Sequence, residues 1–312
     1  MNRTETATAN GLAANSRSLP SWLKVKLPGG ETFRHIKDIS ARRNLHTVCE
    51  EARCPNIAQC WGGGTATFMV MGDACTRGCR FCSVASAARP SLPDPDEPRH
   101  LADALAEMNL EYVVITTVCR DDLPDQGAGH IARCLREARA RRPDMLLEML
   151  IQDFRGDEKA LATVLAARPD VIAHNLETVS RLTPLVRDAK ASYEQSLEVL
   201  RTSKRLSPQI RTKSSLMLGL GETEAEVLTA CKDLRASGVE MLTLGQYLRP
   251  TGAARHLPVV DFAAPETFER LGQTARAMGF LYVASGPFVR SSYRAGELFL
   301  KGLLRNAPQH DL

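Results

Sequence analysis

The apolar positions of the chain form short continuous runs that alternate with helical patterns from residue 65 onward. Continuous runs of this length are typical of strands that are buried on both faces. Seven such runs lie at Phe68–Met71, Tyr112–Ile115, Met145–Ile151, Val171–Ala173, Leu216–Leu218, Met241–Leu244 and Leu281–Ala284. Because strands buried on both faces belong mostly to parallel sheets covered by helices, the pattern predicts a parallel sheet.

Between these runs, apolar residues recur three or four positions apart, which predicts amphipathic helices. The six helical patterns contain Leu101, Leu105 and Met108; Ile131, Leu135 and Ala138; Leu161, Val164 and Leu165; Tyr193, Leu197 and Leu200; Val227, Ala230, Cys231 and Leu234; and Phe268, Leu271, Ala275 and Met278. A sheet crossed by so many helices is either doubly wound or a full or partial (β/α) barrel. Both architectures place reactive groups at the carboxyl ends of strands.

The composition is that of an ordinary globular protein. Of its 312 residues, 44% are apolar and 24% are charged, which is enough to form a large core in one barrel-sized domain or in two domains. The formal net charge of +4 is too small to indicate nucleic acid binding and is compatible with an acidic protein partner. Because no apolar segment approaches roughly 20 residues, we expect no membrane span.

The first 18 residues are polar and rich in small side chains, without the apolar segment of a secretion signal. We expect a disordered tail at 1–18 and a cytoplasmic protein, with a short organelle transit segment as the alternative.

The nine cysteines are unevenly distributed, because six of them lie within 34 residues, from Cys49 to Cys82. A disulfide scaffold would require an oxidising compartment and usually a small domain without a core. Clustered cysteines in a large cytosolic protein instead indicate metal ligands. Cys134 and Cys231 lie on the apolar faces of predicted helices, where we expect small buried thiols.

The loop after the first apolar run contains Cys75, Cys79 and Cys82 with the spacing C-x3-C-x2-C. Tetrahedral zinc sites and ordinary ferredoxin clusters use four protein ligands. Three thiolates in one loop therefore indicate a ligand from elsewhere in the chain or an iron with an open position. The alternative is a structural zinc site completed by a distant histidine, although such sites usually have two cysteine pairs.

With Phe81 directly before its last cysteine, this loop resembles the signature of the radical S-adenosylmethionine (radical SAM) enzymes. The resemblance implies that the three thiolates hold three irons of a [4Fe–4S] cluster. S-adenosyl-L-methionine then binds the fourth iron through its amino and carboxylate groups, and an electron from the cluster cleaves it to methionine and a 5′-deoxyadenosyl radical. We expect Phe81 to lie beside the cofactor.

A second triad, Cys49, Cys54 and Cys60, precedes the first apolar run with the spacing C-x4-C-x5-C. By itself this spacing suits zinc, a second cluster or three reduced thiols. Together with the loop at 75–82 it closely resembles the lipoyl synthase family. The resemblance extends over roughly residues 20 to 300, through PSWLK (20–24), TTVCRDDLPDQGAGH (116–130), DFRGD (153–157), HNLETV (174–179), GQYLRPT (245–251), HLPV (256–259) and GPFVRSSYRAGE (286–297).

The family resemblance implies that Cys49, Cys54 and Cys60 hold an auxiliary [4Fe–4S] cluster whose fourth iron is bound by a serine of RSSY. We assign Ser292 to this role in preference to Ser291. An alkoxide is an unusual iron ligand, and a displaceable one suits a cluster that must be broken. In the family this cluster is the sulfur donor, consumed as sulfur enters carbons 6 and 8 of an octanoyl chain on a lysine of another protein.

The resemblance also implies the fold class, an α/β partial (β/α)6 TIM-like barrel of the radical SAM type with N- and C-terminal extensions. We expect an N-terminal extension at 19–64 that carries the auxiliary cysteines. The barrel is expected at 65–285, followed by a C-terminal extension at 286–312 that carries the serine ligand.

The implied partners are octanoylated lipoyl-carrier domains, namely 2-oxoacid dehydrogenase acyltransferase subunits and the glycine cleavage carrier protein. A flavodoxin or ferredoxin is expected as the reductant, and an iron–sulfur carrier is expected to repair the auxiliary cluster. We expect neither nucleic acid nor a membrane as a partner.

Five further residues are candidate cofactor contacts. Asn175 and Glu177 follow a strand and are suited to the ribose or the methionine amine. Arg187 is suited to pair with the methionine carboxylate, and Gln246 and Tyr247, which follow another strand, are candidates for contacts with adenine or substrate. For each residue, an ordinary polar role in a loop is the alternative.

The remaining motifs predict structural roles. GLGE (219–222) lacks the Lys-Ser/Thr continuation of a phosphate loop, so we expect a turn between a strand and a helix. His130, His174 and His256 have no metal-ligand spacing, and we expect them to be structural or to line a substrate pocket. Cys119 stands where the family commonly has a polar residue, near the expected barrel mouth.

Two rival functions share some of these features. A radical enzyme that inserts sulfur into a free metabolite, as biotin synthase does, would share the triad of Cys75, Cys79 and Cys82 but lacks an N-terminal C-x4-C-x5-C. An electron-transfer protein with two clusters would need neither a barrel nor an open iron, and it would form no 5′-deoxyadenosine.

Overall fold

The computed structural model describes residues 20–23, 30–43, 45–51, 54, 56–62, 66–108 and 110–292. The tail expected at 1–18 lies outside these residues, and so does the C-terminal extension beyond Ser292. The domain boundaries at 18, 64 and 285 therefore stay predictions.

The strands form one large sheet and one small sheet. Their bounds are β1 His46–Thr47, β2 Thr67–Val70, β3 Ala74–Cys75, β4 Ala85–Ser86, β5 Tyr112–Thr117, β6 Leu146–Leu150, β7 Val171–Ala173, β8 Arg211–Leu218, β9 Met241–Gln246 and β10 Tyr282–Gly286. The large sheet has the order β1-β2-β5-β6-β7-β8-β9-β10, and the small sheet pairs β3 with β4. In the large sheet β1 is antiparallel to β2, and all the other pairs are parallel.

The helices alternate with these strands and cover the sheet. Their bounds are α1 Glu31–Arg42, α2 Val48–Glu51, α3 Ile57–Gly62, α4 Glu97–Glu107, α5 Ala128–Arg141, α6 Glu158–Leu165, α7 Thr183–Val186, α8 Tyr193–Leu206, α9 Glu224–Ala236 and α10 Pro265–Ala277. Among the described residues, no helix combines the length and the apolar character that a membrane crossing requires.

The order of the parallel strands decides between the two architectures left open by the sequence. From β2 to β10, each parallel strand neighbours the next one along the chain, whereas a doubly wound sheet reverses its strand order at a switch point. β1 and β10 are the two edges, so the sheet is an open, partial barrel. The predicted partial barrel is confirmed: β2 and β5 to β9 are its six strands, and β10 adds a seventh parallel strand at the edge.

All seven apolar runs and all six helical patterns became the strands and helices predicted for them. The reason is visible in the core, where the apolar faces of the helices pack on buried strands. Phe68, Leu101 and Ile115 belong to one large apolar cluster, and Leu242 and Phe268 belong to another. Burial of each such side chain contributes about 1.5–3 kcal/mol, which fixes the helices on the sheet.

The N-terminal extension packs against the barrel rather than standing apart from it. Phe33 of α1 contacts Trp61 of α3, with ring centroids 5.0 Å apart, and Trp61 is fully buried. Arg43, which follows α1, pairs with Asp103 of α4 at 3.5 Å. The auxiliary triad is therefore carried on a part of the chain that is anchored to the barrel.

A buried ion pair lies among the central strands. Lys213 of β8 donates to both carboxylate oxygens of Glu148 on β6, at 2.9 and 2.7 Å, and Tyr112 of β5 donates to the same carboxylate. Three strands thus share one charge-assisted network. It accounts for the single charge within the otherwise apolar run at Met145–Ile151.

The GLGE segment forms the expected turn between β8 and α9. The Glu222 carboxylate accepts hydrogen bonds from the backbone N–H groups of Gly219 and of Leu220, the latter at 2.9 Å. The two glycines of this turn, Gly219 and Gly221, have a left-handed backbone, with φ of 103° and 102°. A residue with a side chain would be strained in this conformation.

The two glycines differ in the space around them. A Cβ at Gly219 would lie only 2.4 Å from the carbonyl oxygen of Asp261, whereas a Cβ at Gly221 would meet only Val260, at 3.8 Å. Gly219 therefore permits a close approach of two backbone segments at the barrel mouth.

This contrast predicts a difference between two alanine variants. Gly219→Ala and Gly221→Ala impose the same backbone strain, but only the first also forces two backbone segments apart. We expect Gly219→Ala to lower the free energy of unfolding by about 1–3 kcal/mol more than Gly221→Ala does, the usual cost of overpacking. Urea unfolding of both variants measures the difference. Equal losses of unfolding free energy would show that the close approach at Gly219 does not affect stability.

Candidate functional site

The C-x3-C-x2-C loop lies at the carboxyl end of the barrel. It begins at Cys75 in β3, and its three thiols and Phe81 line one cavity of about 250 Å³. Much of the remaining wall comes from residues at or after the ends of strands, as expected for a barrel: these are Thr116, Thr117, Val118, Cys119, Leu150, Ile151, Gln152, Asp153, His174 and Asn175. The predicted triad therefore faces the barrel mouth.

Backbone amides are directed at the sulfurs of this triad. Cys75 Sγ accepts hydrogen bonds from the N–H groups of Arg77 at 3.4 Å and Cys119 at 3.3 Å. Cys79 Sγ accepts one from the N–H of Asp188 at 3.3 Å. Such donors stabilise thiolates, the form that binds iron.

The loop is anchored to the barrel by Arg77. Its guanidinium donates two hydrogen bonds of 2.7 Å to Asp153, which follows β6, and bonds of 3.0 and 2.9 Å to Asp121, which follows β5. Arg77 and both carboxylates are buried. Burial alone would raise the pKa of Asp153, but the hydrogen bonds and charge of Arg77 outweigh it and lower the pKa to about 2.

The segment after β9 holds the other end of the loop. His256 Nε2 lies 3.0 Å from the carbonyl oxygen of Cys82, and Arg255 donates to the carbonyls of Ser83 and Val84 at 3.2 and 3.3 Å. Burial raises the pKa of the Cys82 thiol to about 12, so the thiol is protonated at neutral pH. Binding of a metal ion to this sulfur would displace the proton. His256 is structural, one of the two roles expected for it.

Asn175, Glu177 and Arg187 all line the cavity, so the structure brings these three predicted residues to the cysteine triad. The Nε of Arg187 is buried without a hydrogen-bond partner, and its Nη1 donates to Ser196. Burial raises the pKa of Glu177, although the charge of Arg187 lowers it. An unpaired guanidinium N–H and a carboxylate in one cavity fit the carboxylate and amino groups of a methionine moiety.

His174, itself part of the cavity wall, positions Arg187 through Ser196. Its Nδ1 lies 3.0 Å from the carbonyl oxygen of Ile151, and its Nε2 lies 3.1 Å from Ser196 Oγ. Burial, and next the charge of Arg187, lower the pKa of His174 to about 4. The ring is therefore neutral at pH 7 and fixes Ser196, which in turn receives the hydrogen bond from Arg187.

The side chains of Gln246 and Tyr247 donate hydrogen bonds to backbone carbonyls of the protein itself. The Gln246 amide donates to Leu218 and Asp261 carbonyls, each at 3.0 Å, and Tyr247 Oη donates to the carbonyl of Leu257 at 2.8 Å. Both side chains are buried, and neither lines the cavity. Their contact with adenine or substrate stays a prediction, and their observed role is to hold β8, β9 and the 257–261 segment together.

His130 also has a structural environment. Its Nε2 pairs with the Glu97 carboxylate, and its Nδ1 lies 3.3 Å from an Arg133 guanidinium nitrogen. Cys134 completes a buried group whose ligand atoms lie within 4.8 Å of one another. Because a guanidinium only donates, Nδ1 accepts and Nε2 carries its proton toward Glu97, which leaves no lone pair on His130 for a metal.

The auxiliary triad is built from two short helices. Cys49 lies in α2 and Cys60 in α3, and both are buried, while Cys54 lies between them and donates its N–H to the Cys49 carbonyl at 3.0 Å. Burial raises the pKa of Cys49 to about 11. The indole N–H of Trp61 is buried and lies close enough to the Cys49 sulfur to act as its hydrogen-bond donor, which lowers the Cys49 pKa, so it is available to a sulfur ligand of a cluster.

The C-terminal segment 286–292 docks against the auxiliary triad. Asn56, between Cys54 and Cys60, donates to the carbonyl oxygen of Phe288 at 2.5 Å. Arg290 donates to the carbonyl of Gln246 at 3.2 Å, and its charge interacts with Cys54. Gly245 permits this approach, because a Cβ there would lie 2.0 Å from the Val289 carbonyl oxygen.

Ser291 and Ser292 are the last two residues of this segment and are half-buried. Tyr293, the last residue of RSSY, lies outside the described residues. The docking brings the two serines toward the auxiliary triad, and the choice of Ser292 over Ser291 as a ligand stays a prediction.

The two triads adjoin each other. Val48, the residue before Cys49, lines the cavity of the C-x3-C-x2-C loop. Ser83, the residue after Cys82, donates to the Glu51 carbonyl oxygen at 2.7 Å. The segments that bear the two triads are therefore neighbours at this cavity.

Comparison with known proteins agrees with this geometry. The model of the radical SAM superfamily matches residues 69–234, just over half of the chain, and the model of the N-terminal domain of lipoyl synthase of the radical SAM family matches residues 5–54. Lipoyl synthase from Anaeromyxobacter sp. is 60% identical over 93% of this chain and 97% of its own length. The chain belongs to the lipoyl synthase family.

More distant members agree with this assignment. Lipoyl synthase from Thermus thermophilus is 54% identical over 93% of this chain and 89% of its own length. Among solved structures, the [FeFe]-hydrogenase maturase HydG from Carboxydothermus hydrogenoformans has a TM-score of 0.52 over 87% of this chain and 78% of its own, at 10% identity, a likeness of fold alone. Membership makes the protein a radical SAM sulfurtransferase that uses S-adenosylmethionine and an iron–sulfur cluster.

Sequence reasoning missed the residues that hold the cysteine loop. Asp121 and Asp153 lie in two segments that carry the family resemblance, TTVCRDDLPD and DFRGD, but no role follows from their spacing. Their shared partner, Arg77, lies inside the C-x3-C-x2-C loop. A signal was present in the position of both aspartates within a few residues after the ends of strands, where barrel enzymes place functional side chains.

The anchoring network generates a prediction. In Arg77→Met two buried carboxylates lose their common partner, and we expect the free energy of unfolding at pH 7 to fall by about 3–5 kcal/mol. Because the folded-state pKa of Asp153 is depressed to about 2 from 3.8, the stabilisation is fully present above about pH 4 and is lost as the pH falls toward 2. The difference between wild type and variant should therefore shrink in acid.

Unfolding curves from pH 7 down to pH 3 measure this difference. Arg181→Met is the control, because Arg181 makes an equally well-formed pair with Glu226 that is exposed, and exposed pairs contribute little. Similar losses in both variants, or a difference that does not depend on pH, would contradict the role given to Arg77.

Proposed function

We propose that this chain inserts two sulfur atoms, at carbons 6 and 8, into an octanoyl chain carried on a lysine of another protein, and so forms the lipoyl cofactor. The observation that carries the proposal is that the segments bearing the two cysteine triads adjoin each other: Val48, next to Cys49, lines the cavity of the other triad, and Ser83, next to Cys82, donates to the Glu51 carbonyl. Radical generation and sulfur donation need two distinct groups within reach of one substrate chain. Membership of the lipoyl synthase family supports the reaction assigned to them.

Cys75, Cys79 and Cys82 are the proposed ligands of the radical SAM cluster. With S-adenosylmethionine bound, that cluster supplies the 5′-deoxyadenosyl radical that removes a hydrogen atom from the substrate. The protein contributes amide donors to the sulfurs and a loop fixed by Arg77 and His256. The protein thus fixes the loop that bears the proposed ligands at both of its ends.

We assign the methionine end of S-adenosylmethionine to Arg187 and Glu177. The unpaired Nε of Arg187 is the donor for its carboxylate, and Glu177 is the acceptor for its amino group, with Asn175 beside it. His174 keeps Arg187 in place through Ser196 and, being neutral, adds no competing charge. Apolar residues of the wall, Val84 and Val118 among them, exclude water from the radical.

Cys49, Cys54 and Cys60 are the proposed ligands of an auxiliary [4Fe–4S] cluster, with Ser292 on the fourth iron. The cluster is the proposed sulfur donor, and each product requires two C–H bonds to be broken and two C–S bonds to be formed. Support comes from the docking of the segment 286–292 against this triad through Asn56 and Arg290.

The proposed substrate is an octanoylated lipoyl-carrier domain of a 2-oxoacid dehydrogenase or of the glycine cleavage system. The net charge of +4 favours an acidic domain of this kind. A flavodoxin or ferredoxin as electron donor, an iron–sulfur carrier that rebuilds the auxiliary cluster, and a cytoplasmic location complete the proposal.

The unequal roles of the triads predict opposite behaviour of two variants. Cys75→Ala should form no 5′-deoxyadenosine above background, because S-adenosylmethionine has no cluster to bind. Cys54→Ala should retain cleavage of S-adenosylmethionine but form no lipoyl product, because only the donor is lost. Anaerobic assays with an octanoylated carrier domain, with both products quantified by mass spectrometry, measure this separation.

Cys231→Ala is the matched control, because Cys231 is a buried thiol in α9 outside the cavity, and it should behave as wild type. Lipoyl product from Cys54→Ala would remove the sulfur-donor assignment. Absence of 5′-deoxyadenosine from the wild-type protein would remove the proposed function as a whole.

The serine assignment predicts a difference between neighbours. Ser292→Ala should leave cleavage of S-adenosylmethionine largely intact and strongly reduce sulfur insertion, because the auxiliary cluster loses its fourth ligand. Ser291→Ala should have a much smaller effect. The ratio of lipoyl product to 5′-deoxyadenosine in each variant is the measurement, and near-wild-type ratios in both would return RSSY to the status of a turn without a catalytic role.

A further inference from the structure

Three residues in adjacent strands form the floor of the cavity. Met69 of β2 is in register with Thr116 of β5, Thr116 is in register with Leu150 of β6, and all three line the cavity. Wall residues that follow these strands, such as Val118 and Gln152, lie nearer the mouth, because the parallel strands run toward it. The row is therefore the inner end of the cavity.

Beneath this row the barrel is filled. Leu150 packs against an apolar cluster inside the barrel, which consists of Tyr112, Val114, Val171 and Met241. Glu148 lies two residues before Leu150, on the same face of the strand, and its carboxylate is paired with Lys213. An apolar chain that went deeper than Leu150 would meet packed side chains and a buried pair of charges, and burial of an alkyl chain does not replace their contacts.

Leu150 presents the largest surface of the row to the cavity. Met69 and Thr116 are buried, and the Thr116 hydroxyl donates to the Leu150 carbonyl oxygen at 3.2 Å, whereas Leu150 itself is only half-buried. An acyl chain on a lysine of another protein has to enter from the mouth, with its carbonyl end toward that protein. The methyl end is then its innermost part, and it meets the floor at Leu150.

We propose that Leu150 sets the length of the acyl chain that the site accepts, because the methyl end of the octanoyl chain packs against its side chain. The inference rests on the proposed function, which supplies the acyl-lysine substrate. Carbons 6 and 8 are counted from the carbonyl end, whereas the floor acts on the methyl end. A decanoyl chain contains the same reactive carbons, but the floor displaces them toward the mouth.

Truncation of Leu150 lowers the floor without changing the rest of the wall. Leu150→Ala removes most of the side chain, and Leu150→Val removes less of it while keeping a residue that suits a strand. Leu147→Ala is the matched control, because Leu147 lies in the same strand, is fully buried in a different apolar cluster and does not line the cavity. The two alanine variants lose the same atoms, but only one of them changes the cavity.

The test is a competition between equal amounts of octanoylated and decanoylated carrier domain in one anaerobic reaction, with both dithiolated products quantified by mass spectrometry. The product ratio gives the ratio of kcat/KM and does not depend on the fraction of the protein that is active. We expect wild type to favour octanoyl by about tenfold or more, since an apolar pocket distinguishes one methylene by roughly 10–200-fold. This preference should fall about tenfold in Leu150→Ala and by less in Leu150→Val, and Leu147→Ala should match wild type.

An unchanged product ratio in the Leu150 variants would overturn the proposal. An equal fall in Leu147→Ala would also overturn it, and so would a wild-type protein that does not distinguish the two chains. Leu150→Val, the smaller change, decides the question if Leu150→Ala does not fold. If wild type formed no dithiolated product from the octanoylated domain alone, the proposed function would fail instead, so the two failures are distinguishable.

Discussion

The buried guanidinium of Arg77 is the constraint on which the site depends. It spans two carboxylates that follow adjacent strands, Asp121 after β5 and Asp153 after β6, and the backbone N–H of the same residue donates to the sulfur of Cys75. Bidentate pairs of this kind fix orientation as well as distance. The position of the first thiol is thereby determined by the strands of the barrel rather than by the loop, which by itself has little regular structure.

A second set of contacts joins the extensions to this frame. The auxiliary triad is carried by α2 and α3, which are held by the Phe33–Trp61 contact and by the hydrogen bond from Ser83 to Glu51. The C-terminal segment reaches the same place because Gly245 leaves room for the Val289 carbonyl. Segments that are far apart in sequence, α2 and α3 on one side and 286–292 on the other, thus meet beside the barrel mouth. The proposed reaction requires this arrangement, since a substrate carbon must meet a radical and a sulfur donor in turn.

The parts of this arrangement that are local in sequence could be predicted from it. Buried strands such as Phe68–Met71 are continuous apolar runs, and each cysteine triad has its own spacing, so their existence follows from short-range pattern. The partners of Arg77 lie 44 and 76 residues away, and no pattern in a single sequence gives such pairings. Gln246 shows the same limit, because the sequence left open a ligand contact and an ordinary polar role, and only the fold shows that its amide donates to the Leu218 and Asp261 carbonyls.

The central claim is that one triad carries a cluster that generates radicals and the other carries a cluster that is the source of sulfur. Reconstitution of the protein with isotopically labelled sulfide, followed by removal of free sulfide and a single anaerobic turnover with an octanoylated carrier domain, tests it most directly. The account predicts, by mass spectrometry, a lipoyl group that carries the label in both sulfur positions, together with the loss of one cluster per product. A lipoyl group without label, formed while both clusters keep their labelled sulfide, would contradict it.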